Sequence, residues 1–179
     1  MLKELQGKKV AMIIAFRDFR DEEYMIPKKV LESAGAEIIT VSTSLGEAIG
    51  KLGGEAEVNA LLKDIKVEDY DAVLFIGGPG AFKYIDDETC HQIAREIIEN
   101  NKVLGAICIA PTILAKAGVL EGKKAVVWSS VMDKSAVKIL KEAKAVYQDN
   151  PVVVDGKIIT ASGPIAAKKF AEAIIETLK

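Results

Sequence analysis

The stretch Val103-Leu-Gly-Ala-Ile-Cys-Ile-Ala-Pro-Thr-Ile-Leu114 decides the fold. Val103 to Ile107 is a short apolar run of the kind that forms a buried parallel strand. Pro111 suits the first turn of a helix, where its missing N–H costs nothing. Cys108 is therefore expected on a tight strand-to-helix turn near a helix N-terminus. The partial positive charge and unpaired N–H groups of such an end favour a thiolate. Cysteine is also a common small buried hydrophobe, so the turn gains weight only from what surrounds it.

On either side of this turn, apolar runs alternate with helical segments. The pattern predicts strands over Val10–Ala15, Glu37–Val41, Ala72–Ile76, Val103–Ile107 and Ala125–Trp128. It predicts helices over Glu22–Ala34, Asp87–Asn100, Pro111–Ala117 and Lys134–Ala143. Val152 to Ala161 reads as a hairpin turning at Asp155-Gly156. In the last helix, Ala167, Phe170, Ala171, Ile174, Ile175 and Leu178 mark one core-facing stripe. Ser42 to Val58 lacks such a rhythm and is glycine-rich, which marks a hairpin or loop excursion from the sheet. Alternating strands and helices imply an α/β fold with a mostly parallel sheet covered on both faces.

Composition bounds the rest. The chain has 179 residues, 50% hydrophobic and 28% charged, which fits one folded domain over residues 1–179. A net charge of −2 with scattered lysines gives no electrostatic reason to expect nucleic acid. No apolar run approaches the roughly 20 residues that span a bilayer. The N-terminus leads directly into a strand, without a signal-peptide pattern. Cys90 and Cys108 show no disulfide framework, so a reducing cytoplasm is expected. There is no His-Glu-x-x-His motif and no paired Cys-x-x-Cys, so neither a metal nor a cofactor is expected.

In a doubly wound sheet, ligands bind beyond the carboxyl ends of the strands, where strand order reverses. Three strands deliver unusual residues to that edge. The first leads into Phe16-Arg-Asp-Phe-Arg-Asp-Glu-Glu-Tyr24, the third into Gly77-Gly-Pro-Gly80 and the fourth into Cys108. An acid, a backbone-rich turn and a thiol converge there.

These elements, in this order, resemble the ThiJ/PfpI superfamily, a flavodoxin-like branch allied to the class-I glutamine amidotransferase fold. The resemblance runs from the first strand through Tyr70 to Gly78 and Ala106 to Pro111, and on to Val154 to Pro164. It implies a three-layer flavodoxin-like sandwich with a nucleophile-elbow cysteine, Cys108, and a homodimer. Glu23, four residues before Pro27, matches the carboxylate that hydrogen-bonds this cysteine. The backbone N–H groups of Gly78 and Ile109 match an oxyanion hole, and Gly77 and Trp128 fall where they can border the pocket.

The chemistry is sensible without the resemblance. Repulsion disfavours a thiolate beside an ionised carboxylate, so Glu23 is expected to hold a proton and offer it to the sulfur. One stored proton beside a nucleophile serves general acid–base work, and two N–H groups can hold an oxyanion.

Departures from the family narrow the reading. The peptidase-like branch has a histidine directly after the cysteine, where this chain has Ile109. It also has a glutamate supplied by a neighbouring subunit, matched here by Phe82. A Cys-His-Glu triad is therefore not expected. The histidine of the deglycase-like and redox-sensing branch is replaced by Trp128, and a Ser-Arg near the last turn by Ser162-Gly163.

Each residue also has a plainer reading. Glu23 suits a first-turn acid, although Asp21 and Glu22 serve that purpose better. Gly77-Gly78 suits a tight turn, and Trp128 suits the core as well as a pocket wall. Gly78 to Lys83 opens like a dinucleotide fingerprint, but Lys83 stands in the third glycine's place and the segment follows the third strand. Ser42-Thr-Ser44 follows the second strand, which argues against a flavin phosphate loop. Cys90 and His91 are neighbours on a helix and point about 100° apart, so they form no dyad. His91 is expected at the surface or at a helix end, and Cys90 in a structural role.

The sequence thus implies a cysteine-dependent enzyme acting on small reactive carbonyls, glyoxalase- or deglycase-like, through Cys108 and Glu23. The alternative is a non-enzymatic redox or stress sensor, or a chaperone-like protein, built on the same cysteine. A relative that has lost its chemistry is a third reading.

Overall fold

Buried apolar runs become strands and amphipathic runs become helices in the computed structural model, which describes residues 3–179. In chain order the elements begin β1 (Lys9–Ile13), β2 (Arg17–Phe19), α1 (Asp21–Ser33), β3 (Glu37–Ser42), β4 (Gly46–Gly50), β5 (Glu55–Val58) and β6 (Ala60–Leu61). There follow β7 (Ala72–Phe75), α2 (Glu88–Glu99), β8 (Val103–Ile107), α3 (Pro111–Lys116), β9 (Lys124–Ala125) and α4 (Ser135–Glu142). The chain ends with β10 (Val146–Tyr147), β11 (Val152–Asp155), β12 (Ile158–Ala161) and α5 (Ala167–Leu178).

A seven-stranded sheet has the order β11-β12-β8-β7-β1-β3-β6, parallel except for the β11–β12 hairpin. Every residue of β7 and β8 is buried, as required of strands with both faces covered. α1 packs against α5, while α2 packs against α3 and α3 against α4. The stripe on α5 lies wholly in the core. The architecture is the mostly parallel α/β fold that the alternation implied and the three-layer, flavodoxin-like sandwich that the resemblance implied.

Register fixes where the site must lie. Ile13 pairs with Phe75, Phe75 with Ala106, and Ala161 with Ile107, so β1, β7, β8 and β12 end along one edge. After β1 the chain builds outward to β3 and β6, then returns to the other side of β1 with β7. The reversal falls between β1 and β7, and it opens the crevice into which their following loops project.

One expectation needs correction. The strand expected over Ala125–Trp128 is mostly not one: Lys124–Ala125 pairs with β10 in a separate two-stranded sheet. β12 is already flanked by β8 and β11, so no ladder position remains for this segment. It is instead stitched down by single bonds, Val126 N–H to Thr160 Oγ1 at 3.0 Å and Trp128 N–H to the Cys108 carbonyl at 2.8 Å. The excursion from Ser42 to Val58 does contain a hairpin, β4–β5. Its other neighbour, β2, is a three-residue strand too short to produce an apolar pattern.

Candidate active site

Cys108 occupies a strained elbow. Its φ is +65°, in the left-handed region that non-glycine residues enter at a cost of about 1–3 kcal/mol. The backbone there is held from both sides. Its N–H donates to the Ala161 carbonyl at 2.9 Å, and its carbonyl accepts from Trp128 N–H at 2.8 Å. The side chain is half-buried. Pro111 takes the first position of α3, as the sequence implied.

Glu23 comes from the first turn of α1 and is fully buried. Its Oε2 accepts the Gly77 N–H at 2.9 Å, which ties the loop after β1 to the loop after β7. Gly77 is the tight point of the site: a Cβ there would stand 2.6 Å from Glu23 Oε2 and 2.7 Å from Cys108 Cβ. Carboxyl and elbow therefore close on one backbone position. Gly78 has a φ of +110°, and a side chain there would collide with the Asp18–Arg20 backbone. Arg20 N–H donates to the Gly77 carbonyl at 2.9 Å, completing the stitch.

The electrostatics are those of two acids sharing a small space. Burial raises Glu23 from 4.5 to about 7, opposed by the neighbouring Cys108 thiol and by the hydrogen bond from Gly77 N–H. The Cys108 thiol is also pushed up, by burial first and by the Glu23 charge second. The backbones of Ile109 and Gly78, which border the same pocket, pull it back. This corrects the expectation that the helix end alone would lower the thiol: α3 has only six residues, and burial outweighs its dipole. Glu23 Oε1 is buried without a hydrogen-bond partner, and the thiol is the neighbour able to supply one. The charge on either acid disfavours the charge on the other, so near neutrality the pair holds at least one proton.

A pocket of about 230 Å³ opens on this pair, bordered by Cys108, Glu23, Gly78, Ile109 and Trp128. Gly77 lies behind it, holding Glu23. The lining adds four side chains that the sequence did not assign to it: Arg20, Pro79, Phe82 and Pro164. Arg20 is clamped by Glu22, Nε to Oε2 at 2.8 Å, and its charge bears on both Glu23 and Cys108. A cation within the acidic loop Phe16 to Tyr24 was the only signal for it. The Ile109 side chain is buried, so that residue offers the site only its N–H. A larger, wider groove of about 500 Å³ lies elsewhere, between α1 and β5, edged by Lys28, Glu32, Glu55 and Glu57 with no nucleophile.

Other candidates resolve plainly. His91 stands at the N-terminal end of α2, the second of its two expected places, and it is buried there rather than at the surface, its Nε2 2.7 Å from the Ile85 carbonyl and outside the pocket. Cys90 is fully buried and burial raises its thiol, in keeping with a structural role. Asp21 is more than a dipole partner: buried, it accepts the N–H groups of Leu52 at 2.8 Å and Gly54 at 2.7 Å. Among the described residues no group of three or more His, Cys, Asp or Glu side chains is placed to hold a metal. No helix there is long and apolar enough to cross a membrane.

Comparison with known proteins places this arrangement. The profile of the DJ-1/PfpI family matches residues 8–177. A protein of Methanocaldococcus jannaschii is 39% identical over 178 residues, covering 99% of this chain and 85% of that one. YraA of Bacillus subtilis, which carries a cysteine-protease name, is 31% identical over 97% of this chain and 99% of its own. Among solved structures, a ThiJ/PfpI domain protein from Brachyspira murdochii superposes with a TM-score of 0.91 at 33% identity, over 96% of this chain and 98% of that one. DJ-1beta of Drosophila melanogaster gives 0.84 at 28% identity, over 97% and 91%. A 170-residue profile match, relatives above 30% identity over 85% and 99% of their own length and the shared fold lead to one conclusion: the chain belongs to the DJ-1/PfpI family.

Proposed function

We propose that the chain is a cysteine-dependent enzyme acting on small reactive carbonyls, glyoxalase- or deglycase-like. The observation that carries this reading is the buried Glu23 carboxyl, one oxygen unpartnered, set with the Cys108 thiol in one pocket that the backbones of Gly78 and Ile109 border. As the thiol approaches an aldehyde, its proton passes to the Glu23 carboxylate. Sγ then bonds the carbonyl carbon, and the π electrons move onto oxygen. The N–H groups of Gly78 and Ile109 hold that oxyanion, which takes the proton back from Glu23 to give a neutral hemithioacetal. Atoms and charge balance without a metal or a second reactant. In an α-oxoaldehyde, Glu23 as base then moves the proton from the hemithioacetal carbon to the adjacent carbonyl carbon, giving a 2-hydroxy thioester, and water cleaves its C–S bond to release a 2-hydroxy acid and restore the thiol.

Peptide hydrolysis fits the pocket poorly. The chain's single histidine, His91, is committed to the Ile85 carbonyl outside it, and Phe82 borders it where the peptidase-like branch has glutamate. The test is consumption of methylglyoxal by the wild type, with loss of activity expected in Cys108→Ser and Glu23→Gln. Cys108-dependent cleavage of a peptide, with no aldehyde turnover, would reverse the assignment.

A second reading uses the same atoms: oxidation of Cys108 to a sulfinate hydrogen-bonded by Glu23, in a redox or stress sensor. The half-buried Cys108 beside a fully buried Cys90 favours selective oxidation. Mild peroxide should then add two oxygens at Cys108 and none at Cys90, without aldehyde turnover. The resemblance also favours a homodimer, which sedimentation equilibrium tests.

A further inference from the structure

We propose that the Cys108 pocket selects α-oxoaldehydes bearing an aryl or bulky alkyl group over three-carbon methylglyoxal, with Phe82 and Trp128 as the specificity-determining side chains. The inference rests on the carbonyl chemistry proposed above and names its substrate class. A volume of about 230 Å³ corresponds to some seven waters at roughly 30 Å³ each, more than a two-carbon dicarbonyl head requires. The remaining space is bordered by Pro79, Phe82, Trp128 and Pro164. Such walls reward an apolar tail and offer a polar one a single side-chain donor, the Trp128 indole N–H.

The two aromatics are fixed to the turns that hold the reacting atoms. Phe82 rides on the 3₁₀ segment Pro79–Tyr84, which begins directly after Gly78, one of the two N–H donors. Trp128 is bonded through its N–H to the carbonyl of Cys108 itself. A ring lying between them is therefore placed at a set distance from Sγ. Phe82 is 59% exposed, an aromatic side chain beside a reactive thiol with little protein over it. A substrate ring would cover it.

The charge in the pocket argues in the same direction. Arg20 is its one cation, and two of its five donors are taken by Glu22, at 2.8 and 3.3 Å. A substrate carboxylate would have to compete with Glu22 for that guanidinium and would also face Glu23. A neutral tail meets neither obstacle.

The test compares kcat/KM for phenylglyoxal and methylglyoxal in wild type, Phe82→Ala and Trp128→Leu. It also measures protection of Cys108 from iodoacetamide by phenylacetaldehyde and by acetaldehyde. The wild type should prefer the aryl substrate by on the order of 10-fold or more, and Phe82→Ala should lose most of that preference. Phenylacetaldehyde should protect the thiol at lower concentration than acetaldehyde, and less so in Phe82→Ala. Trp128→Leu keeps an apolar wall and should lower the preference by a smaller factor.

Methylglyoxal turnover with no aryl preference, or a preference untouched in both variants, would overturn this inference while leaving carbonyl catalysis standing. Aryl-selective protection without turnover would keep the pocket's selectivity and remove the catalytic reading. Absence of both turnover and protection would remove the two together. A changed subunit count in Phe82→Ala with the aryl preference intact would assign Phe82 to an interface instead.

Discussion

Asp21 and Glu23 stand two positions apart in the first turn of α1, and both carboxyls are buried, at 6% and 0% exposure. Their surroundings differ in one respect. Asp21 has a backbone N–H on each oxygen, from Leu52 and Gly54, so it serves as a latch that holds the β4–β5 turn against the helix. Glu23 has one oxygen on Gly77 N–H and the other without a hydrogen-bond partner, facing a site that contains a thiol. Burial alone does not make an acid reactive. Burial with an unmet valence, beside a group that can share the proton, does.

Removing the reactive carboxyl should have the largest effect, and it should fall on catalysis. Glu23→Gln keeps the acceptor for Gly77 N–H but cannot take a proton from the thiol. Loss of one general acid–base group lowers turnover by about 10²–10⁴-fold. Asp21→Asn in the same assay should stay within a few-fold of wild type. If both variants lose activity equally, the distinction between the two acids collapses.

Removing the latch should instead fall on stability. Asp21→Ala strands two N–H groups that had an ionised acceptor, and such bonds are worth roughly 1.5–3 kcal/mol each. A loss of about 3 kcal/mol or more is expected, read as a lower denaturant midpoint with the slope unchanged. Asp21→Ala with a wild-type midpoint would show the hairpin turn to be held by something else.

A third separation uses pH. The folded value of Glu23, about 7, lies above its ordinary 4.5, so the folded state binds this proton more tightly than the unfolded state. The stabilisation is complete below about 4.5 and is lost as pH rises through about 7. Wild type should therefore lose on the order of 3 kcal/mol relative to Glu23→Gln across that window. Parallel midpoint curves for the two proteins between pH 4.5 and 8 would show that the carboxyl is not held protonated by burial.

The same contrast explains what could be read from the chain. The elbow is legible because its signals are local: an apolar run, one cysteine and Pro111 within nine residues of each other. Glu23 and Gly77-Gly78 follow once the edge of the sheet is known, because topology brings consecutive loops together there. Asp21 is not legible as a latch, since its partners lie 31 and 33 residues away on a hairpin whose companion β2 carries no pattern. The expected strand at Ala125–Trp128 fails for the same reason, because an open ladder position depends on where β11 lies. His91 stands near a helix end, one of its two expected places, but its burial was not legible, because a fold-back of the preceding turn places the Ile85 carbonyl against its ring. What the sequence hides in each case is a partner far along the chain or a backbone direction, not the residue's chemistry.

The smallest effect tests whether nucleophile strength and proton transfer can be separated at Cys108. Its thiol is raised by burial first and then by the charge and the close approach of Glu23. Glu23→Gln removes the second and third causes and leaves the first, so the thiol should titrate lower than in wild type but above free cysteine. Alkylation of Cys108 by iodoacetamide at pH 8 should then be several-fold faster in Glu23→Gln, although aldehyde turnover falls. Asp21→Asn should leave the alkylation profile where it is. Cys90, fully buried, should remain unmodified in all three proteins until they unfold. A faster thiol in a slower enzyme would locate the contribution of Glu23 in moving the proton, not in sharpening the sulfur. An alkylation profile that does not move in Glu23→Gln would mean that the two acids do not share a proton, and Glu23 would join Asp21 as a structural carboxylate.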